Sequence, residues 1–263
     1  MRTTRPVVLC LSGHDPCGGA GVQADIEVLN SHACHAASVI TAITDQDTHN
    51  VKCIVPQRAE DFSAQVETIL ADLPVAVIKI GLIGDHQLAL AISSLLQGHP
   101  HIPVVFDPIL AAGGGTPLAD QQLLEVIIEQ LLPRTSVLTP NSLEARKLSR
   151  QANLQQAGEV LLGFGCQAVL ITGAHEDTEA VSNQLFQKHE PIQRFAWDRL
   201  PGEYHGSGCT LASSIAALLA QGLDIFTAVN EAQEYTWNAL KHAYRTGQGQ
   251  LNPNRLFWVD HED

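Results

Sequence analysis

Val7-Val8-Leu9-Cys10-Leu11-Ser12-Gly13 is the stretch that decides the fold, because a continuous apolar run ends abruptly in a glycine-containing turn. Such a run is typical of a strand that is buried on both faces of a sheet. Helical spacing follows at once: Val22, Ile26 and Leu29 recur four and three residues apart, which predicts a helix over 20–32. The order strand, glycine turn, helix is the beginning of a βαβ unit.

This alternation continues along the chain. Further buried strands are predicted at 38–43, 75–80, 103–106, 137–139 and 168–171, edge strands at 180–187 and 191–196, and helices at 59–71, 88–95, 120–132, 154–164, 210–221 and 226–245. Strands that alternate with helices predict an α/β fold with three layers, in which helices cover both faces of a mostly parallel central sheet. We find no repeat and no linker, so we expect one domain over residues 1–263.

Composition limits the classes of function. The 263 residues carry 15 Lys and Arg against 28 Asp and Glu, a formal net charge of -13. That balance disfavours a nucleic-acid partner, which needs a basic surface. The six cysteines form no C-x-x-C pair and no zinc spacing, which is typical of reduced thiols. Met1–Arg5 is basic like the start of a signal peptide, but the apolar run after it is too short. We expect a cytoplasmic protein without a membrane span.

The segment His205-Gly206-Ser207-Gly208-Cys209-Thr210 leads into an apolar helix. Backbone N–H groups at a helix start lack intrahelical partners, and glycines let that backbone approach a phosphate. The same positive field lowers a thiol pKa, so Cys209 could serve as a thiolate base or as a nucleophile. The plain alternative is a tight loop with an inert buried cysteine. His205 either pairs with Cys209 in catalysis or, as is more common, orders its loop.

Polar residues follow several predicted strands, at the edge where α/β sheets bind ligands. Asp25 either stabilises a helix start or meets a substrate, and Gln46 suits the edge of a heterocycle or a solvated turn. Asp107 and Glu144 follow neighbouring strands and could hold a hydrated Mg²⁺, while Asn141 could equally be a helix N-cap.

The chain resembles the hydroxymethylpyrimidine/phosphomethylpyrimidine kinases of thiamine biosynthesis, a branch of the ribokinase-like superfamily. The similarity runs almost end to end. Its motifs are Ser12–Pro16 with Gly18–Asp25, Ser38–Thr44 with Gln46–Thr48, Lys79–Gly81, Asp107-Pro108, Thr139–Ala145 and His205–Leu211.

The resemblance implies a role for each matched residue. Gly13, Asp25, Gln46 and Leu82 correspond to the pyrimidine pocket. Gly206, Ser207 and Gly208 correspond to the anion hole, with Cys209 at the position of the catalytic base. Asp107 and Glu144 correspond to residues that organise Mg²⁺ and the ATP phosphates, and Asn141 and Thr172 belong to the same cofactor side. Relatives of this kind suggest a homodimer.

Three positions depart from the family pattern. Thr172 stands where many relatives have a lysine that contacts ATP phosphates, which weakens the expected phosphate clamp. Leu82 replaces a methionine and keeps an apolar wall, and Ser207 replaces a threonine and keeps the hydroxyl.

Three functions therefore stay open. The first is ATP-dependent phosphorylation of 4-amino-5-hydroxymethyl-2-methylpyrimidine to its monophosphate and then to the diphosphate. The second is a pyridoxal or pyridoxine kinase. The third is a regulator that binds a pyrimidine but has lost catalysis. The observation that suggests it is Thr172 in place of the lysine of many relatives.

Overall fold

The computed structural model describes residues 4–259, so Met1–Thr3 of the basic N-terminal segment lie outside the described residues. Within these described residues, nine strands form one sheet in the order β3-β2-β1-β4-β5-β6-β7-β8-β9. The strands are β1 Val7–His14, β2 His35–Gln46, β3 Val51–Pro56, β4 Val75–Ile80, β5 Val104–Phe106, β6 Val137–Leu138, β7 Ala168–Ile171, β8 Ala180–Gln187 and β9 Gln193–Asp198. The pairings β2–β3, β7–β8 and β8–β9 are antiparallel and the other five are parallel.

In the part of the chain that the structure describes, eight α-helices cover the sheet. They are α1 Gly21–Ser31, α2 Ala59–Asp72, α3 His86–Gly98, α4 Gln121–Val126, α5 Ser142–Ser149, α6 Leu154–Gly163, α7 Ser207–Ala220 and α8 Ile225–Lys241. No helix within residues 4–259 is both long enough and apolar enough to cross a membrane.

The central strand shows why the sheet is covered on both sides. Leu9 and Leu11 point into one apolar cluster, which contains side chains of α2 to α6. Val8 and Cys10 point into a second cluster, which contains side chains of α1, α7 and α8. All four side chains are fully buried, because successive residues of a strand face opposite sides and both sides carry helices. The predicted three-layer, mostly parallel α/β fold is confirmed.

Some element boundaries differ from the prediction. The helix predicted at 120–132 is α-helical only to Val126, continues as a π-helical turn over Ile127–Leu131 and ends in a 3₁₀ turn over Leu132–Arg134. Pro133 has no N–H to donate, so a regular α-helix cannot pass through it. Helix α7 begins three residues before the predicted start, and α8 ends four residues before the predicted end.

Two elements were not predicted. Strand β3 pairs with β2 at the open edge of the sheet and has no fully buried residue, so it lacks the apolar run by which the other strands were found. Helix α5 follows the Asn141 position that was considered as an N-cap.

Candidate active site

A cavity of about 610 Å³ lies beyond the carboxyl ends of the parallel strands. Strand β1 lies between β2 and β4, so β2 and β3 lie on one side of β1 and the later strands lie on the other. Such a switch in strand order leaves a crevice in which ligands bind. The predicted site residues that line the cavity are Gly13, Gln46, Leu82, Asp107, Asn141, Glu144, Thr172, Gly206, Ser207, Gly208 and Cys209.

The N-terminus of α7 forms one wall of the cavity. Gly206 is its N-cap with φ +82°, and the first intrahelical bond runs from Thr210 N to Gly206 O at 2.9 Å. The amides of Ser207, Gly208 and Cys209 precede that bond and lie on the cavity lining. Backbone donors at the positive end of a helix dipole are suited to hold a phosphoryl group.

Arg255 fixes this helix start from behind and was not predicted from the sequence. Its side chain is 2% exposed and donates to Thr210 Oγ1 at 3.0 Å, to Glu27 Oε2 at 2.9 Å and to the Gly19 carbonyl. The guanidinium therefore joins the C-terminal segment, α7 and the glycine-rich loop after β1, which comprises residues 15–20. A lone arginine near the end of a chain gives no sequence signal for such a role.

The Cys209 thiol lies between two helix starts. The backbone N–H of Gly21, the first residue of α1, acts to lower the pKa of this thiol. Burial raises the pKa of Cys209 to about 12; the Lys79 ammonium opposes this shift, and the carboxylates of Asp107 and Asp25 contribute to it. The expectation of a lowered thiol pKa was therefore wrong, because the loss of water around the buried thiol outweighs the groups that lower its pKa.

Asp107 places a carboxylate directly opposite the α7 amides. A Cβ on Gly208 would lie 3.5 Å from Asp107 Oδ2, and that oxygen is buried without a hydrogen-bond partner. Burial raises the pKa of Asp107 to about 6, against the opposing charge of Lys79. A buried carboxylate oxygen without a partner is costly, and a bound cation or a hydrogen-bond donor of a ligand would satisfy it.

Glu144 is held more firmly than Asp107. It forms a capping box with Asn141: Glu144 Oε2 accepts from Asn141 N at 2.9 Å, and Asn141 Oδ1 accepts from Glu144 N at 2.9 Å. Glu144 Oε1 accepts from Leu110 N at 3.3 Å. Burial raises the pKa of Glu144 to about 8, and the nearby Asp107 adds to the shift. Asn141 is thus the N-cap that was considered, although it also lines the cavity.

Asp25 corrects one prediction, because it does not line the cavity. Its carboxylate is fully buried and forms an ion pair with Lys79 Nζ at 2.8 Å. It also accepts hydrogen bonds from Ser12 Oγ and Ser213 Oγ, each at 2.6 Å. With these partners around it, Asp25 ties β1, β4 and α7 together under the site and is not in a position to contact a pyrimidine directly.

The end of the cavity near Gln46 is narrow. A Cβ on Gly13 would lie 2.9 Å from Leu82 Cδ2, so Gly13, near the end of β1, packs directly against the Leu82 side chain. Gln46, at the end of β2, approaches His205 with 3.2 Å between the amide nitrogen and the ring Nε2. His205 Nε2 is in turn 2.8 Å from Asp15 Oδ2. Asp15 was not predicted as a site residue, although it belongs to the glycine-rich loop that was singled out.

The opposite end of the cavity is aromatic and was missed altogether. Trp197 and Trp237 line it, with ring centroids 6.3 Å apart, together with Leu240. These residues come from β9 and α8, far apart in the sequence, so no motif joins them. Thr172 lies on the cavity lining between the two ends, where its N–H donates to Pro140 O at 3.0 Å.

Comparison with known proteins decides the family. A model of the family described as phosphomethylpyrimidine kinase matches residues 15–254. The chain belongs to this family. It is 34% identical over 252 residues to the hydroxymethylpyrimidine/phosphomethylpyrimidine kinase of Synechococcus elongatus, covering 93% of this chain and 95% of that one. It is also 34% identical to a thiamine biosynthesis bifunctional protein of Geobacter sulfurreducens, covering 96% of this chain and 52% of the relative.

Solved structures agree with this membership. The pyridoxal kinase of Staphylococcus aureus in complex with AMP-PCP and pyridoxal has a TM-score of 0.89 and 25% identity, covering 98% of this chain and 96% of that one. The resemblance drawn from the sequence is therefore confirmed at the level of family and ribokinase-like fold. The individual roles of the cavity residues stay predictions.

Proposed function

We propose that the chain is an ATP-dependent kinase that phosphorylates 4-amino-5-hydroxymethyl-2-methylpyrimidine to its monophosphate and then to the diphosphate, in thiamine biosynthesis. The observation that carries this proposal is one cavity in which the amides of Ser207 to Cys209, the Cys209 thiol and the unpartnered oxygen of Asp107 meet, with Gln46 at one end. Phosphoryl transfer needs this combination of alignment and charge stabilisation, and family membership supplies the substrate class.

In the first step, the hydroxymethyl arm would point from the Gln46 end toward Cys209. The α7 amides hold the charge that develops on the transferring group. The thiol is protonated near neutral pH, so it must first lose its own proton to solvent before it can accept the proton of the hydroxyl group. Lys79 and the Gly21 N–H both act in that direction. In the second step the acceptor is already an anionic phosphate, so a base contributes less.

Mg²⁺ fits one of the two carboxylates better than the other. No group of three or more Asp, Glu, His or Cys within residues 4–259 is arranged to hold a metal. Asp107 offers a free buried oxygen, whereas both oxygens of Glu144 already accept backbone N–H groups. Asp107 would thus hold the ion together with ATP phosphates, as Mg²⁺ prefers, while Glu144 would remain in its capping box with Asn141. When bound, the ion would neutralise charge on the phosphates.

ATP would lie with its phosphates at the α7 amides and its base toward the Trp197 and Trp237 end, because a flat apolar group finds its largest apolar contact there. The related pyridoxal kinase was solved with AMP-PCP and pyridoxal together, which supports a site with room for a nucleotide and a heterocycle.

A pyridoxal or pyridoxine kinase is the second candidate, favoured by the structural likeness to that pyridoxal kinase. Both acceptors are flat heterocycles with a hydroxymethyl arm, and Gln46 can contact either. The test is the ratio of kcat/KM values for the pyrimidine alcohol and for pyridoxal, measured by ADP release with ATP and Mg²⁺. We expect a preference for the pyrimidine. A preference for pyridoxal would favour the second candidate, and no turnover of either would favour a regulator.

Two further predictions concern the whole protein. A homodimer is implied by the resemblance, and the edge ribbon of β2 and β3 offers an apolar surface for it. Ile43 and Val55 are register partners there, with 57% and 58% of their surfaces exposed. Sedimentation velocity tests this association, and Ile43→Ser is expected to weaken it. The expected cytoplasmic location and the single domain stay proposals, which cell fractionation and limited proteolysis would test.

A further inference from the structure

The glycine-rich loop holds a carboxylate that faces a histidine across the cavity rim. Asp15 Oδ1 accepts from Cys17 N and Asp15 Oδ2 from Ala20 N, each at 2.8 Å. Asp15 is 3% exposed, and its hydrogen bonds to His205, Cys17 and Ala20 overcome burial and lower its pKa, so it is a charged acceptor near neutral pH. A carboxylate in this state can only accept hydrogen bonds.

The ring nitrogen Nε2 of His205 lies within hydrogen-bond distance of two side chains, those of Asp15 and Gln46. Nε2 lies 2.8 Å from Asp15 Oδ2 and 3.2 Å from the terminal amide of Gln46. Facing a carboxylate, Nε2 must carry the proton, because two lone pairs at that distance repel. This holds for the neutral Nε2–H tautomer and for the imidazolium alike.

The proton on His205 Nε2 decides which end of the Gln46 side-chain amide, oxygen or nitrogen, faces the ring; we call this orientation the polarity of Gln46. If the amide NH₂ of Gln46 faced Nε2–H, two donors would oppose each other. A 180° turn of the amide exchanges its oxygen and nitrogen at almost the same positions, and Nε2–H then donates to both Asp15 and Gln46 Oε1. The amide NH₂ is left facing the cavity.

We propose that Asp15 and His205 are positioning residues that fix the side-chain amide of Gln46 with its oxygen toward His205 and its NH₂ toward the substrate. The site then binds a substrate that presents a hydrogen-bond acceptor at this edge, such as an unprotonated ring nitrogen. It selects against a substrate that presents only a donor there. The substrate part of this inference rests on the proposed function, whereas the polarity of the Asp15–His205–Gln46 chain does not.

Backbone contacts hold Asp15, His205 and Gln46 in the positions that this arrangement requires. A Cβ on Gly19 would overlap the His205 ring, so the loop packs directly against the imidazole. His205 N donates to Leu251 O at 2.9 Å, which fixes the other end of the residue. Gln46 belongs to β2, where it pairs in register with Val51. The backbone positions of all three residues are therefore fixed by packing and hydrogen bonds.

The first test reads the proton directly in the whole protein without substrate. Long-range ¹H–¹⁵N NMR distinguishes protonated from unprotonated imidazole nitrogens, and the His205 signals are assigned by their loss in His205→Gln. We expect a protonated Nε2 from pH 7 to 8. An unprotonated Nε2 would overturn the inference, whatever the enzyme acts on.

The second test uses variants that keep or remove the polarity. His205→Gln places an NH₂ near the Nε2 position, so it donates to both neighbours and should keep the KM for the pyrimidine within about threefold. His205→Phe removes the donor and should raise that KM about tenfold, the value of one neutral hydrogen bond, with little change in kcat or in the KM for ATP. An unchanged KM in His205→Phe, or equal loss in both variants, would contradict the proposal.

Gln46→Glu completes the set. A carboxylate keeps the contact with His205 but turns an acceptor toward the substrate, so we expect the KM for the pyrimidine to rise at least about tenfold. Unchanged binding in Gln46→Glu would mean that the substrate donates to this residue, and the inference would fail. If the wild-type protein turns over no pyrimidine at all, the proposed function fails, and the NMR result alone decides the polarity.

Discussion

The Gly206 backbone lies directly on the Gly19 carbonyl oxygen: a Cβ on Gly206 would overlap that oxygen. Gly206 also has φ +82°, a conformation that side chains disfavour. Two separate reasons therefore require glycine where α7 begins, and together they bring the α7 amides against the glycine-rich loop after β1. This contact joins the cavity wall formed by the start of α7 to the end of the cavity near Gln46.

Gly206→Ala is expected to disrupt both stability and catalysis. Its matched control is Gly222→Ala, which has φ +95° but nothing within 4 Å of its Cβ. The control should lose about 1–2 kcal/mol of unfolding free energy from the backbone strain alone and keep its activity. Gly206→Ala should lose more stability and most of its kcat, because the helix start must move. Denaturant unfolding and steady-state rates measure both, and equal behaviour of the two variants would show that the Gly19 contact is unimportant.

Cys209→Ala should separate the two phosphorylation steps. Removing a general base costs about 10²–10⁴-fold in rate, so phosphorylation of the alcohol should fall by that order. Phosphorylation of the monophosphate should fall far less. The two rates are measured separately with each acceptor, and Cys53→Ser, at an exposed cysteine on β3, serves as the control. Full activity toward the alcohol in Cys209→Ala would refute the role of the thiol.

Asp107→Asn should weaken the binding of Mg²⁺. The change keeps the shape of the side chain but removes the charge beside the α7 amides, and we expect kcat to fall about 10²–10³-fold. The Mg²⁺ concentration at half-maximal rate should rise as well. Asp72→Asn makes the same charge change on an exposed residue of α2 and should leave both values as they are. A normal Mg²⁺ profile in Asp107→Asn would place the ion elsewhere.

Glu144 should make the unliganded protein less stable as pH rises. Its pKa is about 8 in the folded chain against 4.5 for an ordinary glutamate, so between these values the folded state holds a proton that the unfolded state has released. The free energy of unfolding therefore falls from pH 4.5 to pH 8. Glu144→Gln keeps a capping-box residue but removes this contribution.

The measurement compares the two proteins at pH 5 and pH 8. The wild type should lose at least about 1.4 kcal/mol more than Glu144→Gln over this interval, the value of one pKa unit. Parallel curves for the two proteins would show that Glu144 is ionised in the folded chain at pH 5.

Thr172→Lys should tighten ATP binding, since it restores the lysine of many relatives on the cavity lining. One added charge-assisted hydrogen bond predicts a KM for ATP lower by about tenfold. The KM for the pyrimidine should stay the same, and this comparison is the internal control. An unchanged KM for ATP would indicate that another group of this chain already does the work of that lysine.

The fold was predictable because its buried strands are almost entirely apolar, with Lys79 of β4 as a charged exception. Runs such as Val75–Ile80 and Ala168–Ile171 could be read directly, since both faces of a parallel sheet are covered. Strand β3 could not, because it lies at an exposed edge and its side chains obey no burial pattern.

The site was only partly predictable, for a similar reason. Motif residues at strand ends, such as Gln46 and Asp107, fall on the cavity because the topology brings strand ends together. Asp25 is one turn into α1 and was assigned to the substrate, but the sequence could not show that Lys79 reaches it from β4. The Asp15–His205 pair spans 190 residues, and the thiol pKa depends on burial, so neither had a local signal.

Product analysis by ³¹P NMR tests the central claim most directly, with ATP, Mg²⁺ and either the pyrimidine alcohol or its monophosphate as the acceptor. We predict that the wild-type protein converts the alcohol to the monophosphate and the monophosphate to the diphosphate, and that Cys209→Ala forms the diphosphate from the monophosphate while scarcely using the alcohol. ADP formation without a phosphorylated pyrimidine, or identical losses of both steps in Cys209→Ala, would contradict it.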